Sequence, residues 1–150
     1  MEFGLSPSLE QIYDMWKTDS NISDELDIEV LRVSNLHSKY LNILSEARSK
    51  RRAYELERRK IISHLRDYYS GLATEEVLSI ISREQYRGPK ILKSELNDTI
   101  ELDAGVINLD VKKAVCLEKE TILTDIIRAI NNRGFHIKSA IDWRKFTSGS

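Results

Sequence analysis

From Ser34 to Tyr69 the chain runs for 36 residues without a glycine or a proline. Leu36, Tyr40, Ile43 and Ala47, then Tyr54, Ile61, Leu65 and Tyr68, recur there at spacings of three, four and seven. That is the period of one face of an α-helix. Such a helix would reach about 54 Å at 1.5 Å per residue. Ser34 is suited to cap its start, and Gly71 supplies the left-handed residue that ends it. The apolar stripe thins between Arg48 and Lys60, which is too polar for a core. The helix therefore either projects there or bends into a helical hairpin near Arg48 to Arg52. A chain organised around residues 34–70 in this way is expected to be mainly all-α.

Shorter elements flank it. Ser8 and Gln11 fit a capping box, and Leu9, Ile12, Tyr13 and Trp16 give the following helix one apolar face. Residues 18–24 read as a loop, and Ile28 to Val33 as extended or irregular. Thr74 to Ile81 predicts a short helix with acids in its first turn. Arg87 to Lys90, R-G-P-K, is a break. Residues 94–109 fit two short helices, favoured here, or a small hairpin turning at Asp103 to Gly105. Asp110 can cap a helix to about Asn132, broken or kinked at Asn132 to Gly134, with a terminal amphipathic helix beyond. The whole, residues 1–150, is read as a single domain.

Composition narrows function. The single cysteine, Cys116, permits no intrachain disulfide and no zinc cluster, so a reducing compartment is expected. Glu2 opens no basic-then-apolar leader, and no apolar run is long enough to span a membrane. There is no phosphate-binding glycine loop, no G-x-S-x-G and no H-E-x-x-H. His37, His64 and His136 are scattered, Cys116 sits among apolar residues, and Glu118 and Glu120 read as a solvated face. The chain is expected to be no enzyme, with no metal and no cofactor.

Charge is the strongest chemical signal. Residues 1–30 hold eight acids and one lysine, net −7, whereas residues 46–66 hold eight bases and three acids, net +5. Residues 128–150 hold five bases and one acid, net +4. Fields act over roughly 10 Å at ordinary salt, so these blocks matter more than the total of −1. Arg48, Arg51, Arg52, Arg59 and Arg66 fall near one side of the long helix, with Arg58 and Lys60 beside them. A line of cations suits the phosphates of single-stranded nucleic acid. Tyr54, Tyr68 and Tyr69 offer rings on which bases can stack. The plainer alternative is a solvated helix whose arginines pair with Glu46, Glu55 and Glu57. At the other end, helix 110–132 with Trp143 and Phe146 presents more apolar surface than a small monomer hides. Either a second copy covers it, or these helices fold back onto the Leu9–Trp16 helix.

Four stretches carry a family resemblance: L-E-Q-I-Y-D-M-W-K at 9–17, L-H-S-K-Y at 36–40, D-Y-Y-S-G at 67–71 and N-R-G-F-H-I-K-S-A-I-D-W-R-K-F at 132–146. Together and in this order they resemble the UvsY family, recombination mediators of T-even-like bacteriophages and their cyanophage relatives. The resemblance implies a mostly helical subunit in a ring-shaped homo-oligomer of hexamer or heptamer size, acting in the host cytoplasm. It implies binding to single-stranded DNA, to the phage RecA-like recombinase and to the phage single-strand-binding protein. The implied role is to help recombinase displace that protein and nucleate the presynaptic filament. In the family a lysine and an arginine two apart precede D-Y-Y; here Ser63 and Leu65 stand there. The candidate DNA-binding set is therefore Arg48, Arg51, Arg52, Arg58, Arg59, Lys60, Arg66 and Tyr69. The family's C-terminal oligomerisation region corresponds to residues 110–147, with Leu123, Ile126, Ile130, Ile137, Ile141, Trp143 and Phe146 as candidates. The competing reading is a non-catalytic helical scaffold oligomer without DNA binding.

Overall fold

The structure, a computed structural model, describes residues 6–149. Glu2, the residue that argues against a leader, lies outside them. Among the described residues every regular element is an α-helix: α1 (Leu9–Asp19), α2 (Leu26–Tyr69), α3 (Glu75–Ile81), α4 (Lys93–Glu101) and α5 (Ala104–Thr147). None is long and apolar enough to cross a membrane. The chain divides into two compact units, Met1–Ser49 with Cys116–Ser150, and Lys50–Val115.

The first unit packs α1 against the early turns of α2 and the later turns of α5. Ser8 closes the expected capping box with Gln11. Ile12 then meets Leu36, Tyr40, Leu44 and Ala47 of α2 and Leu123, Ile126 and Ile130 of α5 in one core. Trp16 meets Tyr40 edge to face at 5.7 Å. Asp19 ends α1 by accepting hydrogen bonds from Lys39 Nζ at 2.6 Å and Tyr40 Oη at 2.9 Å, with Arg32 at 3.3 Å. Buried Arg133 of α5 donates to the carbonyl oxygens of Asp19 and Ser20, satisfying orphan acceptors at that helix end.

Two expectations are corrected in this unit. Residues 28–33 are helical, because α2 begins at Leu26. Ile28, Val30 and Leu31 are exposed, while Glu29, Val33 and Leu36 turn inward at helical spacing. Glu29 accepts from the Ser23 backbone N–H at 3.1 Å, and Asp27 and Glu29 stand beside the positive helix end. The break expected at Asn132 to Gly134 is also absent. Ile130, Arg133 and Ile137 are all buried at spacings of three and four, and that burial outweighs the roughly 1 kcal/mol penalty of a mid-helix glycine.

The second unit gathers the later turns of α2, then α3, α4 and the first turns of α5. Leu65, Ile100 and Val106 form its core, flanked by Ile61, Ile62, Tyr68, Tyr69, Ile81 and Leu96. The continuous α2 replaces the hairpin alternative at Arg48 to Arg52. It closes in a Schellman motif: Gly71 takes φ of 74°, Gly71 N–H donates to Tyr68 O and Leu72 N–H to Asp67 O. Thr74 caps α3 as expected. Residues 94–109 are helical rather than a hairpin, but the second helix is already the start of α5. Its cap is Asp103, whose carboxylate accepts from Gly105 N–H at 2.8 Å, so Asp110 lies inside the helix.

Candidate nucleic-acid interface

Asp103 fixes the end of the basic helix. It is buried, and its carboxylate accepts from Arg83 Nη1 and Nη2 at 2.7 and 2.8 Å and from Tyr69 Oη at 2.6 Å. Burial works to raise its carboxyl pKa, but the bonds from Arg83, Tyr69 and Gly105 outweigh that and hold it below the usual value. Burial and the bond to Asp103 push the Tyr69 phenol up, so it stays protonated and donating. Tyr68, Tyr69 and Tyr86 meet pairwise edge to face at 4.9 to 5.4 Å, and Arg83 stands over the Tyr68 ring at 5.1 Å. Tyr69 is thus engaged inside the unit on both its ring and its hydroxyl. Tyr54 is half-buried and covered by Lys112 at 5.8 Å.

The candidate bases divide into paired and open ones. Arg58 Nε donates to Asp110 Oδ1 at 2.7 Å and Nη2 reaches Glu101. The Asp110 bond is the largest cause of its raised pKa. Arg51 Nη1 donates to Glu55 at 3.0 Å. Arg48, in the first unit, has Nε 3.8 Å from Glu120. Arg52, Arg59 and Lys60 are exposed and form no ion pair among the described residues. Arg66 is exposed, with Nη2 3.4 Å from Asn97 Oδ1.

At about 100° per residue, Arg52, Arg59 and Arg66 drift only about 40° around the helix. They form one row, with a cation about every 10 Å along the axis. Lys60 lies about 100° away from Arg59. The opposite side of α2 carries Ile61, Leu65 and Tyr68 into the core. Packing one face therefore turns the arginine row to solvent.

The candidate oligomerisation residues also divide. Leu123, Ile126 and Ile130 belong to the chain's own core, and Ile137 is buried. Packing onto α1 and α2 consumes them, the fold-back alternative. Ile141 is half-buried, while Trp143 and Phe146 are 66% and 78% exposed and stack on each other at 5.9 Å. Phe135, also exposed, was carried by the C-terminal motif but not singled out by spacing. The Asp103–Arg83 pair and the Arg133 bonds to Asp19 and Ser20 are structural supports that spacing did not reveal, since each joins elements distant in sequence.

This chain, whose regular elements among the described residues are all α-helices and which carries an open cationic row, belongs by its similarities to the class of helical proteins of DNA recombination and repair. Residues 15–150 match the family described as "Recombination, repair and ssDNA binding protein UvsY". The chain belongs to the UvsY family. It is 30% identical over 146 residues to the "Recombination protein uvsY" of Enterobacteria phage T4, covering 94% of this chain and 98% of that one. The fold is that of the bacteriophage T4 recombination mediator protein UvsY. One crystal structure of it aligns with a TM-score of 0.79 at 24% identity, over 95% of this chain and 98% of that one. Another crystal form aligns at 0.79 and 23%, over 93% and 99%.

Proposed function

We propose that this protein is a recombination mediator: a non-enzymatic oligomer that binds single-stranded DNA and helps load a RecA-like recombinase. The observation that carries the reading is the open row Arg52, Arg59 and Arg66 on a chain of this family. The row offers phosphate contacts without a base code, which suits a protein that must act on any strand. One subunit with three such cations binds weakly. Repetition of the row in a closed ring of hexamer or heptamer size converts that into avidity, provided one strand reaches several subunits. The exposed Phe135, Trp143 and Phe146 are the surface on which copies join. A strand held this way is taken from single-strand-binding protein and presented to recombinase, which starts the presynaptic filament.

The scaffold reading draws support from Arg58, Arg51 and Arg48, whose charges are answered within the chain. Filament assembly separates the two. Recombinase is added to DNA coated with single-strand-binding protein, with and without this protein. A mediator shortens the lag, and R52A/R59A/R66A loses the effect. An unchanged lag with the wild-type protein supports the scaffold and overturns the mediator.

A further inference from the structure

Arg66, the last arginine of the row, lies in the last turn of α2 beside α4. Arg66 touches Asn97 of α4, and Glu101, one turn further along α4, reaches Arg58, two turns back along α2. The two helices therefore run antiparallel side by side. Lys93 lies one turn before Asn97 on the same face of α4, which places it beyond Arg66 toward the end of α2. Lys93 is exposed, as are Lys90 and Arg87 in the segment that leads into α4. None of the three has an ion pair among the described residues.

This second cluster is held in place. Residues 82–93 carry four bases and one acid, Glu84, and only Arg83 of the four is spent on an internal pair. Tyr86 anchors the segment by packing its ring on both Tyr68 and Tyr69, and its hydroxyl donates to Pro89 O at 2.9 Å. Arg87 and Lys90 thus flank a fixed point against the last turn of α2. Asp67 is the acid nearest to Arg66 in sequence; it projects about 100° around the helix from it.

We propose that Arg87, Lys90 and Lys93 form a second phosphate-contacting patch for single-stranded DNA, continuous with Arg52, Arg59 and Arg66. The strand then runs lengthwise along α2 and past its C-terminal end, rather than crossing the helix. The patch rests on the reading of this protein as a single-strand binder. Because Tyr68, Tyr69 and Tyr86 are packed on each other, the track contacts phosphates and not bases, and binding along it is indifferent to base sequence.

The test is fluorescence anisotropy with labelled oligothymidylate across a salt series, using the full chain. Five proteins are compared: wild type, R52A/R59A/R66A, R87A/K90A/K93A, R87K/K90R/K93R, and a K17A control that removes an exposed cation elsewhere. Each lost phosphate contact should flatten the logarithmic salt slope by about 0.7. Both triple alanine variants should flatten it, the control should not, and R87K/K90R/K93R should restore the wild-type slope. A wild-type slope in R87A/K90A/K93A, with the α2 variant still impaired, overturns the second patch and leaves the binder reading standing. No binding by the wild-type protein overturns both. If the alanine variant fails to fold, photocrosslinking to the wild-type protein from an azidophenacyl group carried on a backbone phosphorothioate of the oligonucleotide decides. Crosslinks on residues 87–93 support the patch, and crosslinks confined to α2 overturn it.

Discussion

Arg58 Nε donates to Asp110 Oδ1 at 2.7 Å across 52 residues of chain. One of the most conspicuous bases of the positive block is therefore a clasp between α2 and α5. R58A should lower stability by about 1 kcal/mol, a figure kept small because both side chains are partly exposed and screened. It should leave the salt slope of DNA binding unchanged. R59A should do the reverse: no change in melting temperature, and a slope flatter by about 0.7. Thermal melts and a salt series on the two variants check both.

Asp103 makes the second unit acid-sensitive. Its folded carboxyl pKa lies below its unfolded value, so its contribution is complete at neutral pH and is lost as pH falls through the folded value. Asp19 acts in the same direction, because bonds from Lys39 and Tyr40 outweigh its burial. Stability should therefore decline below about pH 4. D103N should remove part of that decline and cost roughly 2–3 kcal/mol at neutral pH, since it leaves Arg83 without its carboxylate. Denaturant melts across pH measure both effects.

Glycines 71 and 134 should respond oppositely. Gly71 sits at φ of 74°, so G71A strains the backbone and should cost about 1 kcal/mol. A Cβ on Gly134 would meet only Val33 Cγ1, at an ordinary 3.9 Å. G134A should therefore add about 0.5–1 kcal/mol in a thermal melt, as expected for alanine in a helix interior.

Substitutions on α5 should separate folding from assembly. I130A empties a fully buried site and should cost about 2–4 kcal/mol in the subunit. W143E/F146E changes two exposed rings, leaves the fold intact and should dissociate the oligomer in light scattering. Retention of the full assembly by W143E/F146E would move the contact surface elsewhere.

Local chemistry was legible: the Ser8–Gln11 capping box, the Thr74 cap and the Gly71 terminator depend on neighbours within a few residues. The long helix was legible because its stripe repeats for eight turns or more. Residues 28–33 were not, because the alternation of Ile28, Val30 and the residues between them mimics a strand. Only Glu29, bonded back to Ser23, shows why the helix starts earlier. Gly134 was misread for a similar reason, since the burial of Arg133 and Ile137 is a tertiary fact. In the candidate site, the arginine row followed from spacing alone. Which bases were already paired did not, because Asp110 and Glu101 lie more than forty residues from Arg58.

Native mass spectrometry with and without an oligonucleotide tests the central claim most directly. A closed assembly of six or seven chains that gains one strand at low salt, and fails to gain it in R52A/R59A/R66A, is the predicted result. A monomer, or an oligomer that stays bare at low salt, would contradict it.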